Sequence, residues 1–358
     1  MKTTLGKVHL SREHPYIVDM QHGFAISPLL QTHTLRFATH LPFRRSVELL
    51  NITLPAAGMS ASQSQRLCYH FGSLEEVETA LRSCRQAEPV SAEASAQTPP
   101  PESTDPSVLY CQIDGGMILT DQGYNEVKVG RLFTSADRHQ VSSRQADNKR
   151  FALKQSEYLA HHGKRADFLD RFTPLLQSHR QHQACRLVFV SDGAHWIQSW
   201  QDGYPEAVQI LDYYHALEAL ASFARQALPD HPAAVRWLRR RRAHLLEGDV
   251  DKVLKAVRAQ ADKGSAEVRQ AAARLTGYYE RNARRMRYGE FRAKGYLIGS
   301  GAIESAVSGL VQQRCKLVGQ RWGPGLKGVL NLRTLVASGK ITSLRRIVDQ
   351  QMRPHAAA

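Results

Sequence analysis

Paired cysteines are absent. The five thiols, Cys68, Cys84, Cys111, Cys185 and Cys315, are odd in number and widely scattered, with no CxxC spacing among them. That excludes a disulfide framework and a cysteine zinc site, so the thiols read as reduced. Also missing is any apolar run of the ~18–20 residues that a bilayer span needs, and the N-terminus holds no apolar signal block. The expected compartment is therefore the cytoplasm, with no membrane partner. No internal repeat is found. Excess positive charge is missing from the first three-fifths of the chain: residues 1–212 carry 21 Lys+Arg against 22 Asp+Glu. Residues 213–358 carry 27 against 11, which accounts for the whole formal net charge of +15. A basic excess confined in this way points to a polyanion partner, because each phosphate neutralised releases a condensed counterion. A solvated basic surface is the plain alternative.

What is present suits a folded protein of several cores: 358 residues, 42% hydrophobic and 23% charged. Residues 88–107, rich in Pro, Ser, Ala and Glu, bury too little to offset their ordering entropy and read as a disordered linker. Before it, residues 1–87 form a small helical module, with helices over Phe43 to Leu54 and Ser60 to Phe71 joined by a turn containing Pro55 and Gly58. A DNA-reading helix-turn-helix and an ordinary helical hairpin both fit that spacing.

Beyond the linker, short apolar runs predict strands over Val108 to Ile113, Met117 to Thr120 and Glu126 to Thr134, with a third strand of the sheet drawn from Phe151 to Ala160. A helix over Asp167 to Leu176 follows, then a buried strand over Arg186 to Ser191, a short helix over Ala194 to Trp200, and a strand over Ala207 to Leu211. The pattern is α/β with a mixed sheet. Residues 213–295 contain no convincing strand and carry 18 Lys+Arg against 9 Asp+Glu, including the run Arg239-Arg240-Arg241-Arg242. So long an excursion far exceeds the usual ~2–6-residue connection and must be a helical insertion in its own right. The chain returns through Gly299-Ser300-Gly301 into a helix from about Ala302 to Leu317, and residues 339–358 read as a C-terminal tail.

Three acids sit at element ends suited to one site: Asp114 and Asp192 close strands, and Glu304 lies in the first turn of the returning helix. On that helix Ile303, Val307, Leu310 and Arg314 mark one face, while Glu304, Ser308, Gln312 and Cys315 mark another. Carboxylates in such a set can hold two magnesium ions ~3.5–4 Å apart for in-line phosphoryl transfer. Taken singly, each acid also has a bland reading: Asp-Gly is a common turn dipeptide, and an acid in a first helical turn is favoured by the helix dipole. Asp212-Tyr213-Tyr214-His215 adds a DxxH spacing at a helix start. It reads either as an N-cap beside an interior histidine or as a phosphate- or base-holding group.

The segments CQIDGG (111–116), VSDGAHWIQ (190–198), AVQILDYYHALE (207–218), GSGAIESAVSGLVQQRCK (299–316) and GQRW (319–322) resemble bacterial insertion-sequence transposases of the ISKra type, in the Mutator-like superfamily. The resemblance covers roughly residues 108–338. It implies a ribonuclease-H-like catalytic domain (108–212 and 296–338) interrupted by the helical insertion, and a DDE triad on Asp114, Asp192 and Glu304. It also implies a (C/D)xxH signature on Asp212 and His215 near the DNA, with Lys316, Arg321 and Trp322 continuing toward the substrate. The short N-terminal region departs from such enzymes in having no clear zinc motif. The expected activity is metal-dependent strand cleavage and transfer at insertion-sequence ends, with two Mg2+ ions, or Mn2+ in their place. The expected partners are terminal inverted repeats, target DNA and further copies of the chain, in a bacterial, nucleoid-associated setting. A nuclease without strand transfer and a non-catalytic DNA-binding descendant are the rival readings.

Overall fold

The computed structural model describes residues 1–11, 24–84, 107–141, 150–182, 185–228 and 230–351. Apart from Ser107, the expected linker lies outside the described residues. In chain order, β1 (Lys2–Thr3) and β2 (Gly6–Lys7) precede helices α1 (Pro28–His40), α2 (Phe43–Thr53), α3 (Ala61–Gly72) and α4 (Glu75–Arg82). Next come β3 (Val108–Thr120), β4 (Gly123–Thr134), β5 (Arg138–Val141), β6 (Arg150–Leu153), β7 (Glu157–His162), α5 (Arg165–His182), β8 (Arg186–Ser191), α6 (His195–Gln201) and β9 (Val208–Leu211). Helices α7 (Tyr213–Ala227), α8 (His231–Glu247), α9 (Val250–Ala261), α10 (Ala266–Asn282) and α11 (Tyr288–Ala293) follow. The last described elements are α12 (Gly301–Val307), a π-helical turn (Ser308–Gln312) with a short helical turn (Gln313–Cys315), α13 (Leu326–Ala337) and α14 (Ile341–Gln351). The protein is thus mixed α/β, with a five-stranded sheet in the order β7-β4-β3-β8-β9. No helix among the described residues is long and apolar enough to cross a membrane.

Several expectations are corrected here. Strand β3 does not end at Asp114 but runs on through Gly115 and Gly116 to Thr120. Those glycines let neighbours come close: a Cβ on Gly116 would lie 2.9 Å from Val307 Cγ1. The sheet's third strand is Glu157–His162, paired antiparallel with β4, whereas Phe151 belongs to β6 of a separate antiparallel β5–β6 pair. The polar break Lys154-Gln155-Ser156 separates the two runs. Residues 341–351 are not a loose tail, because Leu344, Ile347 and Val348 recur at helical spacing and are buried. On the returning helix Cys315 is fully buried, so it leaves the polar stripe expected to carry Glu304. The π turn that intervenes shifts the facing of everything after Val307.

Contacts divide the chain into two compact units: residues 1–107, 115–185 and 305–358, and residues 108–114 with 186–304. In the first, α3 and α13 cross with glycine at the contact. A Cβ on Gly72 would lie 2.1 Å from the Gly328 carbonyl oxygen, and one on Gly328 would lie 2.9 Å from the Cys68 oxygen. Asn331, fully buried, donates to Gly72 O (2.9 Å) and Glu78 Oε1 (3.1 Å) and accepts from Arg171 (2.8 Å). Arg171 also pairs with Glu78 at 2.8 Å. Burial alone would raise the Glu78 carboxyl, but Arg171 and Lys327 outweigh it and leave it below its usual range.

In the second unit, β8 is apolar on both faces because it lies between two parallel neighbours. Helix α8 there is capped at both ends. Asp230 accepts from Ala233 N at the start of α8, and Gly248 ends that helix at φ +85°. Phe223, Trp237, Leu245, Leu254, Val257, Leu275 and Tyr279 are buried among these helices.

Two predictions follow from the first unit. Gly72→Ala places a methyl against backbone that cannot yield, and should cost roughly 2–3 kcal/mol in denaturant unfolding; an unchanged midpoint would refute the close crossing. The second concerns His161, 8% exposed, whose Nδ1 stands 3.0 Å from Arg171 Nη1 and must be unprotonated to accept from it. Burial, then the Arg171 charge, lower its pKa to about 4. Because the folded value lies below the unfolded 6.5, acidification from pH 6.5 to 4 protonates only the unfolded chain and should remove up to about 3 kcal/mol. His161→Asn keeps an acceptor but cannot titrate, so its stability should fall less steeply over that window. Parallel pH profiles for the two proteins would rule this out.

Candidate functional site

All five acidic and histidine candidates lie in the second unit. The β3–β8 ladder runs from Val108↔Arg186 to Gln112↔Val190, and β8–β9 from Val188↔Val208 to Ser191↔Leu211. Carried on in the same register, Asp114 stands level with Asp192, and Asp192 with Asp212. On that register the three aspartates fall on three adjacent parallel strands, ~4.8 Å per strand, Asp192 and Asp212 just past the ends of β8 and β9 and Asp114 within β3. Asp212 N donates to Ser191 O (2.8 Å), which extends the β8–β9 pairing to this level.

Asp192, half-buried, accepts through Oδ1 from Ala194 N (3.0 Å) in a local turn. Gly193 follows at φ +85°, a conformation open to glycine. The turn reading of Asp-Gly is thus fulfilled at Asp192 while its carboxylate stays at the strand end. Tyr278 Oη donates to the Asp192 backbone oxygen (3.1 Å), and burial, with the Asp192 and Asp212 charges, pushes its phenol well above the usual range. Asp114 is half-buried on β3, where no turn interrupts the strand.

Asp212 is fully buried and caps α7. Its Oδ1 accepts from His215 N (2.7 Å) and lies 3.2 Å from His215 Nδ1, and its Oδ2 accepts from Ser300 N. Burial would raise this carboxyl, but the His215 and Ser300 hydrogen bonds hold it below its ordinary value. Its hydrogen bond to Asp212 raises the His215 pKa to about 9 against burial, and the Asp212, Asp192 and Asp114 charges add to the effect. The imidazole is therefore a cation at neutral pH, set among carboxylates.

Glu304, exposed on α12, accepts from Ser300 Oγ at 3.0 Å. Among the described residues, ligand atoms of Asp212, His215 and Glu304 all lie within 4.8 Å of one another. That set differs from the sequence-derived triad: of its members only Glu304 is included, while Asp114 and Asp192 lie outside it, though their charges reach His215. Asp114, Asp192 and Glu304 offer hard carboxylate oxygens with some solvent access, the donor type that magnesium and manganese take.

The remaining candidates separate by burial. Four successive helical residues cannot share one face at 100° per residue. Accordingly Arg239 and Arg240 are exposed, Arg241 lies over the Trp237 ring at 5.0 Å, and Arg242 donates to Tyr213 Oη at 3.3 Å. Lys316 and Arg321 belong to the first unit and are exposed there. Trp322 is only 4% exposed; its Nε1 donates to Cys315 O (3.0 Å) and its ring faces Arg314 at 5.2 Å. It is a core residue, not one presented to DNA. Asp212 is likewise interior, its carboxylate occupied by backbone donors. Sequence reasoning passed over Ser300 and Tyr278. Ser300 had a signal in the small-residue triplet before the returning helix; Tyr278 had none.

The fold and site together define a mixed α/β protein in which Asp212, His215 and Glu304 gather where the chain leaves β9 and returns into α12. The chain belongs to the uncharacterised protein family UPF0236, whose model matches residues 1–351. No curated protein matches it.

Proposed function

We propose that the protein is a DDE-type DNA transposase in which Asp114, Asp192 and Glu304 are the metal-binding carboxylates. One observation carries the reading: carried on past Gln112↔Val190, the parallel register would set Asp114 level with Asp192, and the charges of both reach His215, which lies beside Glu304. The mixed sheet and the helical stretch preceding the Glu304 helix support the ribonuclease-H-like architecture that the sequence resemblance implies.

Each carboxylate has a definable task. Asp114 and Asp192 present oxygens from neighbouring strands, and Glu304 presents one from a helix, its Oε1 held by Ser300. Two Mg2+ ions, or Mn2+, bound there would activate the attacking oxygen and stabilise the leaving one. His215, cationic at neutral pH, places positive charge where a phosphate would enter. Exposed Arg239 and Arg240 on α8 offer phosphate contacts in the same unit, and Arg242 extends that basic surface to Tyr213. In the other unit Lys316 and Arg321 are open to a polyanion. Terminal inverted repeats, target DNA and a dimer or higher assembly are the corresponding partners, in the bacterial cytoplasm with the nucleoid.

The test is a Mg2+-dependent cleavage and joining assay on labelled terminal-repeat DNA. Asp114→Asn, Asp192→Asn and Glu304→Gln should each lower product formation by about 10²-fold or more, with DNA affinity changed by less than about threefold. Any of the three that retains wild-type rates leaves the triad. Cut ends without joined products would replace transposition by simple nuclease action. Absence of both, with binding intact, would leave a non-catalytic DNA-binding protein.

A further inference from the structure

The helical stretch between β9 and α12 leaves the sheet at Asp212 and returns at Ser300, positions 88 apart in sequence. Both are buried, at 0% and 3% exposure, and the Asp212 carboxylate joins them. One oxygen takes His215 N at the outgoing end; the other takes Ser300 N at the incoming end. Further bonds secure the returning segment in the same place. Leu297 N donates to Tyr110 Oη (3.2 Å), Gln112 Nε2 to Gly299 O (3.3 Å), and Tyr213 N to Ile298 O (2.9 Å). Gly299 lies so near Tyr214 that a Cβ would stand 2.8 Å from its ring. From this fixed point Ser300 reaches forward: its carbonyl accepts from Ile303 N and Glu304 N, and its hydroxyl donates to Glu304 Oε1.

We infer that Asp212 is a positioning residue for Glu304. Its carboxylate clasps the exit and re-entry of the helical stretch, and through the Ser300 hydroxyl it fixes the Glu304 carboxylate beside His215. The inference rests on the proposed role of Glu304 as a metal ligand. It separates the two members of the DxxH signature, because Asp212 then acts on Glu304 through the backbone rather than on DNA. A ligand carboxylate gains affinity from the hydrogen bonds that orient it, and loss of such a partner costs about 10–100-fold in metal binding.

Mn2+ binding to the full chain, followed by calorimetry without DNA, tests the second link. Ser300→Ala keeps the backbone N–H that Asp212 accepts and removes only the hydroxyl. It should weaken Mn2+ binding about tenfold or more with melting temperature unchanged, and Ser300→Thr should restore it. Amide exchange tests the first link. Asp212→Asn places an N–H donor against backbone donors, so protection at Ser300, Ile303 and Glu304 should fall. Wild-type Mn2+ affinity in Ser300→Ala, or failure of Ser300→Thr to restore it, overturns the hydroxyl link. Unchanged exchange at those three amides in Asp212→Asn overturns the clasp. Should the wild-type chain bind no Mn2+, the metal-ligand reading of Glu304 fails, while the exchange measurement still decides the clasp.

Discussion

The parallel register of β3, β8 and β9 is the constraint on which the rest of the site depends. A one-residue slip in either ladder would turn an aspartate to the opposite face of the sheet. Register is held by burial on both sides: Leu187, Val188, Phe189 and Val190 on β8, and Leu109, Tyr110 and Cys111 on β3, are almost wholly inaccessible. Apolar packing two or more residues away therefore decides where Asp114, Asp192 and Asp212 come to lie. The aspartates themselves contribute little to that choice, since like charges so close together would repel. The cationic imidazole of His215 offsets part of this repulsion within the protein.

A second set of polar interactions belongs to the other unit. Arg314 and Arg333 are buried, and the partners seen for them are mostly backbone carbonyls. Arg314 Nε donates to Ala38 O (3.1 Å), with its guanidinium over the Phe43 and Trp322 rings. Arg333 donates to Leu310 O (2.7 Å), Gly309 O and Thr39 O. Gly309 and Leu310 lie in the π turn, where carbonyls lose their regular helical donors. Ala38 and Thr39 lie in the last turn of α1, whose dipole favours a cation. Two arginines thus serve backbone groups that helical geometry leaves exposed. The basic excess of the C-terminal region is in part internal, so net charge overstates the surface available to a polyanion.

Where one period dominated, the sequence was legible. The apolar run Arg186–Ser191 and the helical pairs Phe43–Thr53 and Ala61–Gly72 form close to the expected places because each carries its own pattern of burial. Interruptions misled. Asp114-Gly115-Gly116 has turn composition, yet the strand passes through it, because those glycines serve close approach rather than reversal. Trp322, with a basic neighbour, resembles a nucleic-acid contact, but its indole N–H has a buried carbonyl partner. In both cases composition was the same for two environments, and only packing told them apart.

The candidate site divides along the same line. Asp192, Asp212 and Glu304 could be read from strand ends and a helix start, since those positions follow from local pattern, whereas Asp114 lies within a strand expected to end there. How they divide the work could not, because that depends on which donor meets which oxygen. Asp212 and Asp192 both end parallel strands and look alike in sequence. Asp212 has His215 N on one oxygen and Ser300 N on the other, which leaves it interior and occupied. Asp192 has a backbone donor on Oδ1 and remains half-exposed. The difference arises from a segment returning 88 residues later, whose amide completes the one carboxylate and whose hydroxyl meets Glu304. A long helical excursion thus makes two similar aspartates unequal, by bringing back the chain that occupies one of them.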